Sequence, residues 1–272
     1  MIKDIHGLLE LYERELRLDC EPLGMRREAF PTLIRLVDLA GERGCVIYSK
    51  LDERGADAAI CKQIDYFGSI HQAFEWKLFG YDGPPDLGQR LLRVGFEAEP
   101  VEAVMVLELD QAPPALDNPR SHDVRRITSL DELVDLERVQ CAIWKETRWI
   151  LSRVQRDMTE APETLSVYVA YSDGKPVCAG WIDFPPHSQF AGVWGGSTIP
   201  EFRRRGFYCA LLAARVREAR ERGRRFLTID AGPMSRPIVE RSGFQFLTSA
   251  QEFVWKPDMP DIQSSQSSQC NP

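Results

Sequence analysis

Residues 198–222, TIPEFRRRGFYCALLAARVREARER, join a basic, glycine-containing loop to a strongly patterned helix. Apolar residues recur along one side of this helix and charged residues along the other, as on a helix at a protein surface. The first N–H groups of a helix have no intrahelical partner and lie at the positive end of its dipole. Gly206 lets the backbone approach an anion closely, and Arg203, Arg204 and Arg205 add positive charge beside it. The stretch therefore predicts a phosphate site at a helix start; the alternative is a solvated basic turn.

Length and charge limit the classes of protein that fit this chain. It has 272 residues, 43% of them hydrophobic, and a net charge of −7. This length suits one large or two modest domains, and we expect two. The negative charge argues against extensive nucleic-acid binding, and few aromatic residues adjoin the basic stretch 203–225 to stack on bases. A local basic patch of this kind suits a nucleotide-bearing cofactor.

The cysteines give no sign of a disulfide framework or a metal site. The seven are odd in number, widely spread and without a Cys-x-x-Cys pair. The chain begins without a signal-peptide pattern, and no apolar run approaches membrane-spanning length. We therefore expect a cytoplasmic protein without a bound metal, a membrane partner or a nucleic-acid partner.

The N-terminal half, residues 1–110, is expected to form an α/β domain. Its periodicity predicts helices over 5–16, 31–43 and 86–93, and strands over 45–51, 58–67, 73–81 and 101–109. Residues 111–119 are proline-rich and lack apolar periodicity, which is typical of a linker.

The pattern then begins again over residues 120–257. Strands are predicted over 124–127, 165–171, 176–184, 190–199, 226–229 and 244–255, with helices over 130–144, 148–158 and 233–241 besides the helix after Gly206. The Ser/Gln-rich residues 258–272 are expected to be a disordered tail. The order is one strand, two helices, three strands, then alternating helices and strands.

These features resemble the GCN5-related N-acetyltransferases (GNAT family). In that family an Arg/Gln-x-x-Gly-x-Gly/Ala loop binds the pyrophosphate of acetyl-coenzyme A. The run from Arg203 to Gly206 is similar to it, although the last position falls on Tyr208, and Ser242-Gly243-Phe244 resembles the family's Gly-Phe turn. Over residues 120–256 the order of elements is also the family's. The resemblance implies an α/β (α+β) fold with a mixed, mostly antiparallel central sheet flanked by helices.

A weak internal repeat relates the two halves. Asp82-Gly83-Pro84-Pro85 precedes a helix that ends at Gly95-Phe96, and Asp230-Ala231-Gly232-Pro233 precedes one that ends at Gly243-Phe244. Two explanations stay open: the first half is a degenerate GNAT-like domain, or common turn residues coincide by chance. The first half has no Arg-x-x-Gly-x-Gly loop, so we expect it to be structural or to wall a substrate pocket.

The resemblance implies which residues hold acetyl-coenzyme A. They are Ser197, Thr198, Ile199, Arg203, Arg204, Arg205, Gly206, Phe207 and Tyr208. In the family the pantetheine arm pairs with the strand before the loop, and the Thr198 N–H is where we place the thioester carbonyl. Gly195 and Gly196 suit a bulge or a close backbone approach, or else they relieve packing beneath Trp194.

The proton-transfer residues are the least defined. The family's thiolate-protonating tyrosine corresponds to Val239, which leaves Tyr208 and Ser235 as candidate acids, and Ser235 could equally cap a helix. The candidate bases are Asp183, Asp230 and His187. Either aspartate could instead hold a cationic substrate or end a strand, and the histidine could be a solvent-exposed loop residue.

The acceptor is expected to be a small-molecule amine. Trp144 and Trp149 flank the helical region that forms the acceptor pocket in the family, so an aromatic-walled amine site is one possibility and core packing the other. The resemblance implies an N-acetyltransferase; the alternative is a non-catalytic acyl-coenzyme A binding or regulatory module. We expect a monomer or a homodimer.

Overall fold

The computed structural model describes residues 4–117, 119–144 and 148–257, and of residues 148 and 149 the backbone alone. The expected tail at 258–272 and Cys270 therefore lie outside the described residues. The α-helices are α1 (Ile5–Glu13), α2 (Ala56–Ser69), α3 (Leu87–Arg93), α4 (Pro114–Asp117), α5 (Leu133–Cys141), α6 (Arg148–Glu160), α7 (Phe207–Glu221) and α8 (Arg236–Arg241). A π-helical turn, Arg14–Leu18, follows α1.

The strands belong to a single twelve-stranded sheet within the described chain. They are β1 (Met25–Phe30), β2 (Leu33–Asp38), β3 (Arg43–Ser49), β4 (Ala73–Phe79), β5 (Glu97–Ala98), β6 (Glu102–Glu108), β7 (Asp123–Ile127), β8 (Leu165–Ser172), β9 (Lys175–Asp183), β10 (Phe190–Thr198), β11 (Phe226–Ala231) and β12 (Gln245–Trp255). Their order is β1-β2-β3-β4-β12-β6-β11-β10-β9-β8-β7, with β5 paired to β12. The described pairs are antiparallel except β3–β4 and β10–β11, which confirms the predicted mixed, mostly antiparallel sheet.

The two halves exchange strands at the centre of this sheet. The last strand of the chain, β12, lies between β4 and β6 of the N-terminal half. In turn β6 lies between β12 and β11 of the C-terminal half. Neither half therefore completes its sheet without a strand from the other.

Each half contains one parallel pair joined by a helical crossover. In the N-terminal half, α2 connects β3 to β4, and in the C-terminal half α7 connects β10 to β11. The two crossover helices begin differently. Asp52 Oδ1 accepts a hydrogen bond of 2.7 Å from the N–H of Gly55, the residue before α2. An acidic side chain thus lies at the start of α2, where an anion would be repelled.

Two predicted elements of the N-terminal half are wrong. Residues 31–43 were expected to be helical, but they contain β2, which has neighbours on both edges and is buried from Leu33 to Val37. Burial of both faces removes the polar alternation by which a strand is recognised. Residues 58–67 were expected to be a strand, but they lie in α2, whose buried residues recur every three or four positions: Ala56, Ile60, Gln63 and Phe67.

Two smaller differences concern an edge strand and the segment between the halves. The sequence did not predict β1, an edge strand rich in charged and exposed residues. Within the predicted linker, 111–119, the structure has the short helix α4, and its Leu116 is buried in a core cluster shared with α7. The domain boundaries themselves stay predictions.

The exchanged strand predicts a stability difference along β12. Phe253 is 3% exposed and packs in the N-terminal core with Trp76 and Leu91, whereas Phe246 on the same strand is 44% exposed. Phe253→Ala is expected to lower the free energy of unfolding by about 3–5 kcal/mol because it leaves a cavity. Phe246→Ala should change it by no more than about 0.5 kcal/mol. Urea unfolding followed by circular dichroism measures both, and equal losses would contradict this packing.

Candidate active site

The parallel strands β10 and β11 separate soon after they begin. They pair over Phe190–Gly192 and Phe226–Thr228, and none of the described pairs joins them beyond that point. The register of β10 against β9 also shifts between Trp194 and Ser197. A fork therefore opens between the two strands, with one edge of β10 free along its second half.

Two glycines make the bend in β10 possible. Gly195 has φ +59°, and a Cβ there would overlap the ring of Trp181. A Cβ on Gly196 would lie 2.8 Å from the ring of Tyr208. Both glycines are thus required by the side chains packed against the bulge, and Gly195 also by its backbone conformation. Both interpretations of this pair apply. The strand has a bulge here, and the glycines also make room for neighbouring side chains, which are Trp181 and Tyr208 and not Trp194.

Side chains from α5, from the segment just after it and from α7 hold the bulge in place. Gln140 of α5 donates a hydrogen bond of 2.7 Å to the Gly195 carbonyl, and the Trp144 indole donates one of 2.9 Å to Ser197 Oγ. From α7, Arg215 donates to the carbonyls of Trp181 and Trp194 at 3.2 and 3.4 Å. Because Arg215 is fully buried, desolvation lowers the pKa of its guanidinium. A buried cation therefore lies directly beneath the bulge.

The free edge of β10 presents backbone groups to the fork. The Ile199 N–H bonds to Val177 on β9, at 2.9 Å. Because successive N–H groups of a strand point to opposite edges, the Thr198 N–H points away from β9. The Thr198 carbonyl accepts a hydrogen bond of 3.1 Å from Arg203 Nε. The predicted site of the thioester carbonyl thus lies on the open edge.

The basic loop after β10 has the conformation that an anion site needs. Arg204 and Gly206 both have positive φ, +61° and +95°, and Gly206 is the N-cap of α7 without a side-chain cap. The N–H groups of the first turn are consequently not capped by a side chain. Phe207 is buried, so it can offer only its backbone N–H to a ligand. Tyr208 packs beside Arg215 and Gly196, and burial raises the pKa of its hydroxyl.

Two residues near this loop were not found from the sequence. A Cβ on Gly206 would lie 3.2 Å from His122 Nε2 and 3.3 Å from Arg120 Cδ. The His122 ring also lies 3.1 Å from the Arg205 carbonyl and 4.2 Å from the Phe207 ring. They stand more than eighty positions earlier in the chain, so no local pattern links them to the loop.

Both candidate aspartates are engaged in ion pairs on the face of the sheet opposite α7. Asp183 lies 2.5 Å from Arg153 Nη2, and burial raises the pKa of Asp183 against the effect of that guanidinium. Asp230 lies 2.5 Å from Lys77 Nζ, a residue of β4 in the N-terminal half. No local sequence pattern predicts that Lys77 reaches the fork, because only the strand exchange brings β4 close to β11.

The other two catalytic candidates lie apart from these aspartates. His187 is exposed, in a loop with φ +56°. Ser235 is the N-cap of α8, but its hydroxyl donates to the Gly232 carbonyl at 3.2 Å and does not cap the helix. Val239, at the family's tyrosine position, is fully buried in the core beneath α8. Trp144 is half exposed, and the side chain of Trp149 lies outside the described residues.

No protein-family model and no curated protein matches the sequence. Solved structures do match the fold. A GCN5-related N-acetyltransferase from Kribbella flavida is 14% identical, with a TM-score of 0.69, over 95% of this chain and 98% of that one. A conserved protein of unknown function from Staphylococcus epidermidis is 14% identical, with a TM-score of 0.67, over 92% and 99%. A tandem GNAT protein from the clavulanic acid biosynthesis pathway is 13% identical, with a TM-score of 0.60, over 90% and 87%. The chain therefore has the GNAT fold, and the likeness spans both halves. In the described part of the chain, no helix is both long and apolar enough to cross a bilayer.

The bulge predicts a specific sensitivity at Gly195. Gly195→Ala would place a methyl group in the Trp181 ring and also strain a positive φ. Gly174→Ala is the matched control, since φ is +74° there and a Cβ would meet nothing within 4 Å. We expect the control to cost about 1–2 kcal/mol and Gly195→Ala about 1–3 kcal/mol more. Chemical denaturation measures both; equal costs would show that the bulge is not tightly packed.

Proposed function

We propose that this chain is an N-acetyltransferase that transfers the acetyl group of acetyl-coenzyme A to a primary amine of a small molecule. The observation that carries the proposal is the fork between β10 and β11, with the basic loop and the uncapped start of α7 immediately after it. In a GNAT fold this is where a strand-like arm and a pyrophosphate can be bound together. The supply of an activated acetyl thioester is the chemistry that acetyl-coenzyme A brings.

The phosphate end of the cofactor fits the loop. The first-turn N–H groups of α7 and the positive end of its dipole favour an anion. Arg203, Arg204 and Arg205 surround Gly206, and Arg120 adds a further guanidinium on a neighbouring segment. The departure from the family motif at Tyr208 is compatible with this arrangement, because the ring packs against Gly196 and the backbone N–H is left to the ligand.

The pantetheine arm fits the free edge of β10. Ser197 Oγ accepts a hydrogen bond from Trp144, and the Ile199 N–H donates to Val177 on β9, so this edge is held in one position. The Thr198 N–H faces the fork and can donate to the thioester carbonyl, where negative charge grows during acyl transfer. Arg215 beneath the bulge places a buried positive charge behind the same segment. The protein then needs only to hold both reactants and accept a proton from the amine.

A second candidate is a non-catalytic acyl-coenzyme A binding or regulatory module. The observation that favours it is the burial of Val239, which leaves no acid at the family's tyrosine position. The two candidates differ in one measurement. Coenzyme A would stabilise the protein in either case. A binder would release no thiol from acetyl-coenzyme A with any amine, whereas an enzyme would release it. We also propose a cytoplasmic location, since the seven cysteines are odd in number, widely spread and without a Cys-x-x-Cys pair, as is common in a reducing compartment.

The phosphate loop predicts the effect of a charge at Gly206. Coenzyme A should raise the melting temperature of the wild type, as any ligand selective for the native state does. Gly206→Asp should abolish this rise, because its carboxylate would occupy the anion site. Gly223→Asp is the control: it adds the same charge at a positive φ of +69°, but after the other end of α7. Differential scanning fluorimetry with and without coenzyme A measures the effect. A wild type that coenzyme A does not stabilise would refute the proposed cofactor.

The acidic start of α2 predicts one cofactor site per chain. The N-terminal half repeats the parallel pair and crossover, but Asp52 bonds to the N–H of Gly55, where the C-terminal half has an open loop. Titration calorimetry with coenzyme A should therefore give a stoichiometry of one. Asp52→Ala should leave the stoichiometry at one as well, because this loop has a single arginine, Arg54, with the acidic Glu53 beside it. A stoichiometry of two in the wild type would show that the N-terminal half also binds the cofactor.

A further inference from the structure

A group of charged side chains meets on the sheet where the two halves exchange strands. It consists of Glu75 and Lys77 of β4, Glu102 of β6, Asp230 of β11 and Glu252 of β12, and we call it the junction cluster. Lys77 Nζ lies 2.5 Å from Asp230 Oδ2 and 3.5 Å from Glu252 Oε1. A single ammonium group thus links β4 of the N-terminal half to β11 and β12 of the C-terminal half.

The junction cluster lies at the fork, on the face opposite the phosphate loop. Lys77 Nζ is 5.8 Å from the ring centroid of Trp194, the residue before the β10 bulge. Asp230 is two residues beyond the last pair between β11 and β10. Its neighbours Ile229 and Ala231 pack in the core with α7 and α8, so its own side chain faces the α1 side of the sheet. A second substrate reaching the fork from that side would meet this cluster.

The junction cluster carries an excess of negative charge. Lys77 is paired with the carboxylates of Asp230 and Glu252, its charge also acts on Glu75 and Glu102, and Glu75 has a second cation, Arg43, at 3.6 Å. Burial, then the charge of Glu252, raises the pKa of Glu75 to about 7. Although burial opposes it, the charges of Asp230 and Glu252 raise the pKa of Lys77 well above its usual value. Lys77 is therefore held as a cation and the surplus charge stays negative.

Two oxygen-bearing groups of the cluster have unused hydrogen-bonding capacity among the described residues. The Asp230 side chain is only 3% exposed, and its Oδ1 atom has no hydrogen-bond partner among the described residues. Glu102 is half-buried and makes no hydrogen bond or ion pair within the described part of the chain. A buried acceptor without a donor is costly, so a ligand that donates hydrogen bonds here would relieve both groups.

Glu102 has the electrostatic setting of a base that works near neutral pH. Burial, and next the charge of Asp230, raises the pKa of Glu102 to about 7. The other charged groups that act on it are Lys77, which lowers its pKa, and Glu252 and Glu99, which raise it. A Cβ on Gly232, just after β11, would lie 3.9 Å from Glu102 Oε1, so this carboxylate reaches the end of the strand that forms the fork. Asp183 and Asp230, by contrast, are each bound to a cation at 2.5 Å.

We propose, resting on the acetyltransferase function above, that the junction cluster is the acceptor site, that it takes a small cationic amine, and that Glu102 is the base. The ammonium donates hydrogen bonds to Asp230 Oδ1 and to Glu102, and Lys77 fixes the Asp230 carboxylate as a positioning residue. The N-terminal half thereby contributes a catalytic residue.

The proposed acyl transfer removes two protons from the ammonium. Glu102 takes one proton from the ammonium, and the freed nitrogen lone pair forms the C–N bond at the thioester carbonyl. The C–S bond breaks and its electron pair leaves on sulfur, while the second nitrogen proton passes to the thiolate through solvent. The protonated Glu102 then releases its proton to water. The products are an amide, a thiol and one proton.

The experiment compares Glu102→Gln with Glu97→Gln, a control that removes the same charge from the exposed strand β5. The probes are cadaverine, n-butylamine and β-alanine, assayed by thiol release from acetyl-coenzyme A between pH 6 and 9. In the wild type kcat/KM should rise through pH 7 as Glu102 ionises, and cadaverine should exceed β-alanine, whose carboxylate the cluster repels. In Glu102→Gln this rise of kcat/KM through pH 7 should disappear, and kcat should fall by about 10²–10⁴-fold. Glu97→Gln should retain both.

Two further measurements separate this inference from the proposed function. Titration of cadaverine into the cofactor-free protein should give weaker binding for Glu102→Gln than for Glu97→Gln, while coenzyme A should stabilise both variants equally. Glu102→Asp keeps the carboxylate, so its kcat/KM should still rise near pH 7. This variant therefore distinguishes the loss of a base from a defect in folding. If Glu102→Gln acetylates amines with an unchanged kcat and an unchanged rise of kcat/KM through pH 7, the inference is overturned and the proposed acetyltransferase function is unaffected. Absence of thiol release with any probe, in a protein that coenzyme A stabilises, would overturn the acetyltransferase function itself.

Discussion

The exchange of β6 and β12 is the constraint on which the rest of the structure depends. Each half supplies the strand that the other half needs next to its parallel pair. The hydrogen-bonded ladder of β11 with β6, and that of β12 with β4, would both have to break for the halves to separate. Because the N-terminal core includes Phe253 from the last strand, folding of the first half requires the end of the chain. The same exchange brings Lys77 and Glu102 to a fork formed by the other half.

The fork itself depends on two glycines that pack against two large aromatic side chains. Trp181 and Tyr208 fill the space beside Gly195 and Gly196, so the bulge has no room for side chains of its own. The carbonyls that the bulge turns away from the ladder are satisfied by Gln140 and Arg215. A buried guanidinium without a carboxylate partner is unusual, since desolvation of the charge must be offset by hydrogen bonds. Arg215 offsets part of this cost by donating to the carbonyls of Leu211, Trp181 and Trp194, and the last two bonds hold the bulge of β10 in one position, while its Nη2 atom has no hydrogen-bond partner among the described residues.

The sequence predicts the C-terminal half well and the N-terminal half less well, for physical reasons. Hairpins, caps and glycine turns act locally, so 165–184 and the Gly206 helix start could be found from neighbouring residues alone. The strands β1 and β2 were not predicted because neither has the usual alternation of polar and apolar residues. In β2 both faces are buried, and β1 is a largely exposed edge strand. The aspartates could be proposed as candidates, but their partners could not. Lys77 and Arg153 are 153 and 30 positions away from the carboxylates they bind.

The two halves share an arrangement of strands yet differ in charge at equivalent places. At the start of α7 the chain has three arginines and an open helix end, while at the start of α2 it has Asp52, Glu53 and a single arginine, Arg54. The same preference for acidic residues continues on β4, β6 and β12, whose carboxylates face the fork. Under the proposed function, a phosphate-bearing donor would be repelled from the N-terminal half and attracted to the C-terminal one, and the opposite would hold for a cationic acceptor. Positive and negative surfaces on the two sides of one fork would bring an anionic and a cationic reactant together from opposite faces of the sheet.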